Sequence, residues 1–254
     1  MPDRSYQKSF VLTVAESKRL IARGVARCAA VEEALSEGIV AVAKGTTDGY
    51  VVEELTGQKM QKPLYCTGTT RPSGRKSDVK VANELADLVL MGGEPSEDMT
   101  AVEAVDEMGP GDVFIKGANA LNYERGQAGI LIGHPTGGTI GGAIGTIIAR
   151  RGTLILPVGL EKSIPGNLYD TARELSAVDE RGSGPTLWPV DGLIFTEMEA
   201  LGVLCGVESR PIGAGGILGA EGSVRMAVWG KKGQLEDVET LIDDIQGEPP
   251  FGSE

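Results

Sequence analysis

Residues 103–124, EAVDEMGPGDVFIKGANALNYE, place Glu103, Asp106, Glu107, Asp112, Lys116 and Glu124 around one short apolar strand, VFI. Carboxylates and a lysine gathered at a strand end suit proton transfer next to a carbonyl. An ionised carboxylate takes the proton, and an ammonium or a second carboxyl group steadies the charge that develops on oxygen. The alternative is an acidic loop before an ordinary buried strand, with Lys116 reaching into water.

Two Gly-rich junctions between strand and helix add binding candidates. In KGTTDG, residues 44–49, backbone N–H groups at a helix start suit an anion. Lys44, Gly45, Thr46 and Thr47 are the candidates there, and the alternative is that Thr47 or Asp48 simply caps the helix. The turn is not a P-loop, because GxxxxGK[ST] is absent. The second junction, GHPTGGTIGG at 133–142, carries His134, the single histidine, with Thr136, Gly137 and Gly138. It lacks the GxGxxG dinucleotide pattern. GAGGILGAEG, 213–222, contains GxGGxxG but no clear preceding strand. Glu161 and Lys162 follow a further apolar strand, with a solvated pair as the default reading. A site at the carboxyl ends of parallel strands would collect the 44–49 turn, the 134–142 turn and this loop.

The elements needed to hold such a site can be read from periodicity and capping. Residues 13–37 read as one helix, with Thr13 and Glu16 forming a capping box and Gly38 stopping it. IVAVA, 39–43, is a strand, and YVVEEL continues as helix. The polar stretch 66–80 reads as loop, and VANELADLVLMG as helix running into strand. AGILIG, 128–133, and 153–156 read as two parallel strands joined by a helix. Gly133, Gly137, Gly141 and Gly145 recur every four residues, so that helix offers a face open to close approach. Further on come a helix in LYDTARELSAV, a strand and helix in DGLIFTEMEALGVL, a Gly-rich stretch at 206–223, the strand SVRMAVWG and the helix QLEDVETLIDDIQ. The tail GEPPFGSE reads as frayed.

These elements predict an α/β fold: a Rossmann-like, largely parallel sheet flanked by helices, with a small C-terminal α+β portion. The core is expected over 1–180 and the C-terminal portion over 181–254, packed against it or into it, with the weakest seam near 180–190.

Composition narrows the function. The net charge is −12 with no basic stripe, which argues against nucleic acid. Cys28, Cys66 and Cys205 lie far apart without CxxC spacing, so neither a disulfide framework nor a zinc site is expected, and a reducing cytoplasm fits. The uncharged run 128–149 is split by His134 and Pro135 and diluted by Gly, which argues against a membrane span. No metal or cofactor is expected. The Gly face and the apolar composition suggest a homo-oligomer.

Three segments, in order, give the chain a resemblance to ribose-5-phosphate isomerase A and the wider superfamily of sugar isomerases and CoA transferases. IVAVAKGTTDGYVVEEL resembles the family's strand, GTGST phosphate loop and helix. EAVDEMGPGD resembles its DGADE motif, and FIKGANALNYER its IKGGGGALxREK motif. The likeness covers residues 13–160. It implies a phosphorylated sugar as ligand, held at Thr46 and Thr47. It further implies that Glu103 and Asp106 meet the sugar, that Lys116 faces the enediolate and that Glu124 is the base. Asn119 stands where the motif has glycine. The departures are AKGTT for GTGST, EAVD for DGAD, KGAN for KGGG, and Glu124 one residue nearer Lys116 than in the motif, followed rather than preceded by an arginine. Two other functions remain open at this stage. One is a non-catalytic sensor of a phosphorylated metabolite. The other is CoA-dependent acyl transfer through Glu197, Glu199 or Glu221.

Overall fold

The computed structural model describes residues 4–68, 70–71, 79–96, 99–178 and 184–253. The expected loop 66–80 and the seam at 180–190 lie partly outside them.

The middle of the central sheet is built from short strands with nearly every side chain buried. β2 (Ile39–Val42) and β5 (Val113–Ile115) are buried throughout, and β8 (Thr153–Pro157) is buried after its first residue. Runs of Val, Ile and Leu without polar alternation suit strands covered on both faces. With β10 (Leu193–Phe195), β3 (Leu88–Met91) and β4 (Glu94–Pro95) they form a six-stranded sheet in the order β10-β8-β5-β2-β3-β4. The pairs β10–β8, β8–β5 and β5–β2 are parallel, while β2–β3 and β3–β4 are antiparallel. Asp112 aligns β2 and β5 at their amino ends, accepting from Ile39 N–H at 2.6 Å and Gly109 N–H at 2.7 Å. Tyr65 braces the opposite end of β2: its hydroxyl donates to Val42 O at 2.5 Å and accepts from Leu88 N–H at 3.1 Å.

Two three-stranded antiparallel sheets flank this core. One has the order β1-β12-β11, from β1 (Tyr6–Leu12), β12 (Val224–Gly230) and β11 (Glu208–Ala214). The other has the order β6-β7-β9, from β6 (Ala120–Asn122), β7 (Gln127–Ile132) and β9 (Thr186–Val190). Residues beyond 180 thus contribute strands to all three sheets. One hydrophobic cluster runs from Leu12 to Ile245.

The helices cover the sheet. α1 (Val14–Ala26) starts with the complete Thr13/Glu16 capping box. It packs on α3 (Asp48–Thr56) and α7 (Glu197–Cys205), and the contact with α7 is close enough that Gly24 faces the Ala200 backbone. α4 (Ala101–Ala104) meets α5 (Gly138–Arg150) where Val102 lies against Gly142. α6 (Leu168–Ser176) packs on β9, and α8 (Lys232–Ile245) on β1 and β12.

Several expectations change. The helix over 13–37 is two helices, α1 and α2 (Ala29–Glu37), interrupted at Arg27–Cys28. The segment 81–87 is not helical, and the strand after it runs antiparallel to β2. The strand at 128–133 does not pair with 153–156. β7 joins the separate β6-β7-β9 sheet, because the hairpin from β6 gives it an antiparallel partner, and the parallel neighbours of β8 are β5 and β10. The four-residue Gly spacing gives close approach in part: Gly137 and Gly141 face Trp188 and Thr136, Gly133 and Gly145 have nothing within 4 Å, and the contact with α4 is made by Gly142, where a Cβ would sit 2.9 Å from Val102 Cγ1. The Gly-rich stretch after 206 contains β11. The C-terminal tail is packed rather than frayed. Gly247 N–H donates to Glu16 at 2.9 Å, Glu248 pairs with Arg19 at 2.8 Å, and the Phe251 ring lies 5.3 Å from the Lys18 ammonium.

The close crossing of α1 and α7 gives a test. A Cβ on Gly24 would stand 2.6 Å from Ala200 Cα and 2.9 Å from Phe195. Gly24→Ala is therefore expected to destabilise by about 1–3 kcal/mol through overpacking. This outweighs the gain of roughly 1 kcal/mol that alanine brings to a helix. Urea denaturation measures the difference.

Candidate functional site

The loops that leave the carboxyl ends of β2, β5, β8 and β10 meet, and they bring buried charge together. After β2 the chain turns through Lys44–Thr47 into α3, whose first residue, Asp48, is fully buried. Gly117, just beyond β5, donates its N–H to Asp48 Oδ2 at 3.1 Å. Asp48 Oδ1 is buried and has no hydrogen-bond partner among the described residues. Burial pushes the Asp48 carboxyl above its ordinary range, while the Lys116 ammonium and the Gly117 N–H pull it back. Lys116 is anchored by donating to Lys44 O at 3.2 Å.

A second group of charges comes from β8 and β10. Lys162 donates to Ala118 O at 2.9 Å, tying its loop to the one after β5. Glu161 folds back over Gly159, where a Cβ would collide with Oε2, and that oxygen is buried without a hydrogen-bond partner among the described residues. Glu197 opens α7, is 0% exposed, and accepts the Leu160 N–H at 3.0 Å. Burial and the neighbouring Glu161 charge raise its carboxyl to about 7. α1 contributes Lys18, 8% exposed, with no hydrogen bond or ion pair to the described residues. Burial, and then the Lys162 charge, lower the Lys18 ammonium to about 8. Cys66 is buried close enough for Asp48, Lys18 and Lys116 to act on its thiol, and burial raises it to about 11, far from thiolate chemistry.

The sequence-derived candidates separate. Lys116, Gly45 and Thr47 belong to this cluster. Gly45 lies under the Asp48 carboxylate, so a Cβ there would strike Oδ2, and Thr47 is 2% exposed. Thr46 is half-buried in the same turn. Lys44 turns away, to Asn83 at 2.5 Å and Asp87 at 3.3 Å. Asp48 is the first residue of α3, at the helix start expected to suit an external anion.

Asp106 is exposed and precedes β5, whereas Lys116 follows it. Glu103 is exposed on α4, where it completes a capping box with Thr100 whose N–H and hydroxyl keep its carboxyl low. Glu124 is exposed in the turn between β6 and β7. Asn119 is exposed but fixes β7, accepting the Leu131 N–H at 3.0 Å. His134 and Thr136 bond each other at 2.9 Å, and Gly137 packs near Trp188. His134 and Gly137 border an open cleft of about 560 Å³ together with Ile132, Thr186 and Trp188, and no lysine lines it. Gly138 follows as the first residue of α5.

Of the glutamates considered for acyl transfer, Glu197 is buried with its oxygens held by a backbone N–H. Glu199 caps α7 and accepts the Tyr123 hydroxyl at 2.6 Å. Glu221 accepts the Gly219 N–H in a hairpin turn. Sequence reasoning passed over Lys18 and Asp48. Lys18 reads there as one polar position of an amphipathic helix, and Asp48 as a cap.

The chain matches no family model, no curated protein and no solved structure. Among the described residues no three His, Cys, Asp or Glu side chains form a metal-binding group, and no helix is long and apolar enough to cross a membrane. What stands is a mixed α/β fold whose helices flank a multi-stranded sheet.

Glu197 gives this site a pH signature. Its folded value near 7 lies above the ordinary 4.5, so the folded state binds more protons between those values. Stability from this group is therefore lost as pH rises from about 4.5 through 7. Glu197→Gln removes the effect. The variant is expected to gain on the wild type by about 3 kcal/mol between pH 4.5 and 8. Denaturant melts of both proteins across that range check it.

Proposed function

We propose that this chain is an isomerase-like enzyme that moves a proton through an enediol on a small phosphorylated sugar. The observation that carries the reading is Asp48: a fully buried carboxyl with one open oxygen, held beside Lys116 by the Gly117 N–H. A carboxyl raised by burial is a stronger base than an ordinary one, and a fixed ammonium stabilises the oxyanion formed between taking and returning the proton. In this reading Asp48 is the base and Lys116 the oxyanion partner. Lys18 and Lys162 hold the anionic group of the substrate, since Lys18 brings a buried ammonium with no hydrogen bond or ion pair among the described residues. Four parallel strands whose carboxyl ends carry the site support a Rossmann-like description of the core. The resemblance to ribose-5-phosphate isomerases points to the same chemistry, with the base moved from Glu124 to Asp48. Neither a cofactor nor a metal enters this scheme.

A thermal-shift screen of sugar phosphates, free sugars, CoA esters and nucleotides tests the ligand class, because a ligand of the folded state raises the midpoint. The expected result is a response restricted to sugar phosphates and lost in Lys18→Met. Asp48→Asn is expected to keep that response and to lower turnover by roughly 10²–10⁴-fold. Glu124→Gln is expected to stay near wild type. A response to CoA esters alone, or loss of turnover in Glu124→Gln with Asp48→Asn active, would contradict the reading.

A further inference from the structure

The cluster contains two arrangements of the same kind. In each, a carboxylate lies over a glycine whose Cβ would displace it, Asp48 over Gly45 and Glu161 over Gly159. In each, one carboxylate oxygen is buried without a hydrogen-bond partner among the described residues, Asp48 Oδ1 and Glu161 Oε2. Each also has a lysine anchored on a backbone carbonyl, Lys116 on Lys44 O and Lys162 on Ala118 O. The anchors meet in one four-residue loop after β5. Lys116 begins it, Gly117 binds Asp48, and Ala118 receives Lys162. Lys18 lies within electrostatic reach of Lys162, Glu161 and Cys66, and Lys162 in turn acts on Asp48. A buried oxygen without a donor costs stability, so two such oxygens at the same edge of the parallel strands call for donors from outside the chain.

We propose that Glu161 is a second catalytic residue, which moves the hydroxyl proton while Asp48 moves the carbon-bound one. This rests on the isomerase reading above. An aldose-to-ketose conversion needs two hydrogen transfers. Asp48 takes the proton from C2, and the C2 electrons form the C1–C2 double bond as negative charge passes to O1. Glu161 takes the proton from the O2 hydroxyl and delivers it to O1. Asp48 then returns its proton to C1 as O2 becomes the carbonyl. One hydrogen has moved from C2 to C1 and one from O2 to O1, with no net oxidation. Glu197 is a positioning residue here. It is buried behind Glu161, fixed by Leu160 N–H, and its charge state is coupled to that of Glu161.

The two transfers can be read separately. Wild type, Asp48→Asn, Glu161→Gln and Gly159→Ala are incubated in D2O with ribose 5-phosphate and glucose 6-phosphate. Proton NMR follows deuterium entry at C2 and aldose–ketose interconversion. Glu161→Gln is expected to exchange within about tenfold of wild type while interconversion falls by about a hundredfold or more. Gly159→Ala, which evicts the Glu161 carboxylate, is expected to show the same split without touching Glu161 itself. Asp48→Asn is expected to lose both. Unchanged interconversion in Glu161→Gln, or equal loss of exchange and interconversion in both Glu161→Gln and Gly159→Ala, overturns the role of Glu161 and leaves the isomerase reading standing. A wild type that neither exchanges nor interconverts these sugars overturns the isomerase reading for them, and the proposal with it.

Discussion

The bond from Gly117 N–H to the buried Asp48 carboxylate is the constraint on which the site depends. It joins the turn after β2 to the loop after β5, so both strands must be in register before it can form. A carboxyl group without exposure is costly unless donors and counter-charge meet it. Here the Lys116 ammonium, the Gly117 N–H and the Lys162 charge supply them. One oxygen remains without a partner among the described residues.

A second buried network keeps α1 in place beneath the site. Arg19, 3% exposed, pairs with Glu53, Glu54 and Glu248, and Lys62 pairs with Glu53 at 3.0 Å. Arg19 and Lys62 also lie over the Tyr50 ring, at 4.8 and 4.6 Å from its centroid. Every charge in this group meets an opposite charge or an aromatic face. Lys18, the preceding residue on the same helix, lies against the Phe251 ring and makes no hydrogen bond or ion pair among the described residues. Neighbouring cations on one helix thus have opposite circumstances, one fully satisfied and one not. The packed tail reaches both, through Glu248 and Phe251.

Much of the architecture was legible because it follows from local rules. The Thr13/Glu16 box, the all-apolar β2 and β5, and the amphipathic α8 are each specified within a few residues. Strand pairing was not legible. β7 and β8 have the same apolar character, and only the β6 hairpin places β7 in a different sheet. The site was half legible. Lys116 and the 44–47 turn stand next to strands that periodicity reveals. Glu103, Asp106 and Glu124 attracted attention because they crowd one segment, yet in space they lie on exposed turns and a short helix. Asp48, Glu161, Glu197 and Lys18 come from four separate segments. Their union depends on the carboxyl ends of parallel strands meeting, which no single window of sequence reports.

The most direct measurement is a crystal structure of the protein with the sugar phosphate that raises its melting temperature most. The account predicts density among Lys18, Lys116 and Lys162, with hydroxyl groups against Asp48 Oδ1 and Glu161 Oε2. Density confined to the cleft beside His134 and Trp188, with the lysine cluster unchanged, would contradict it.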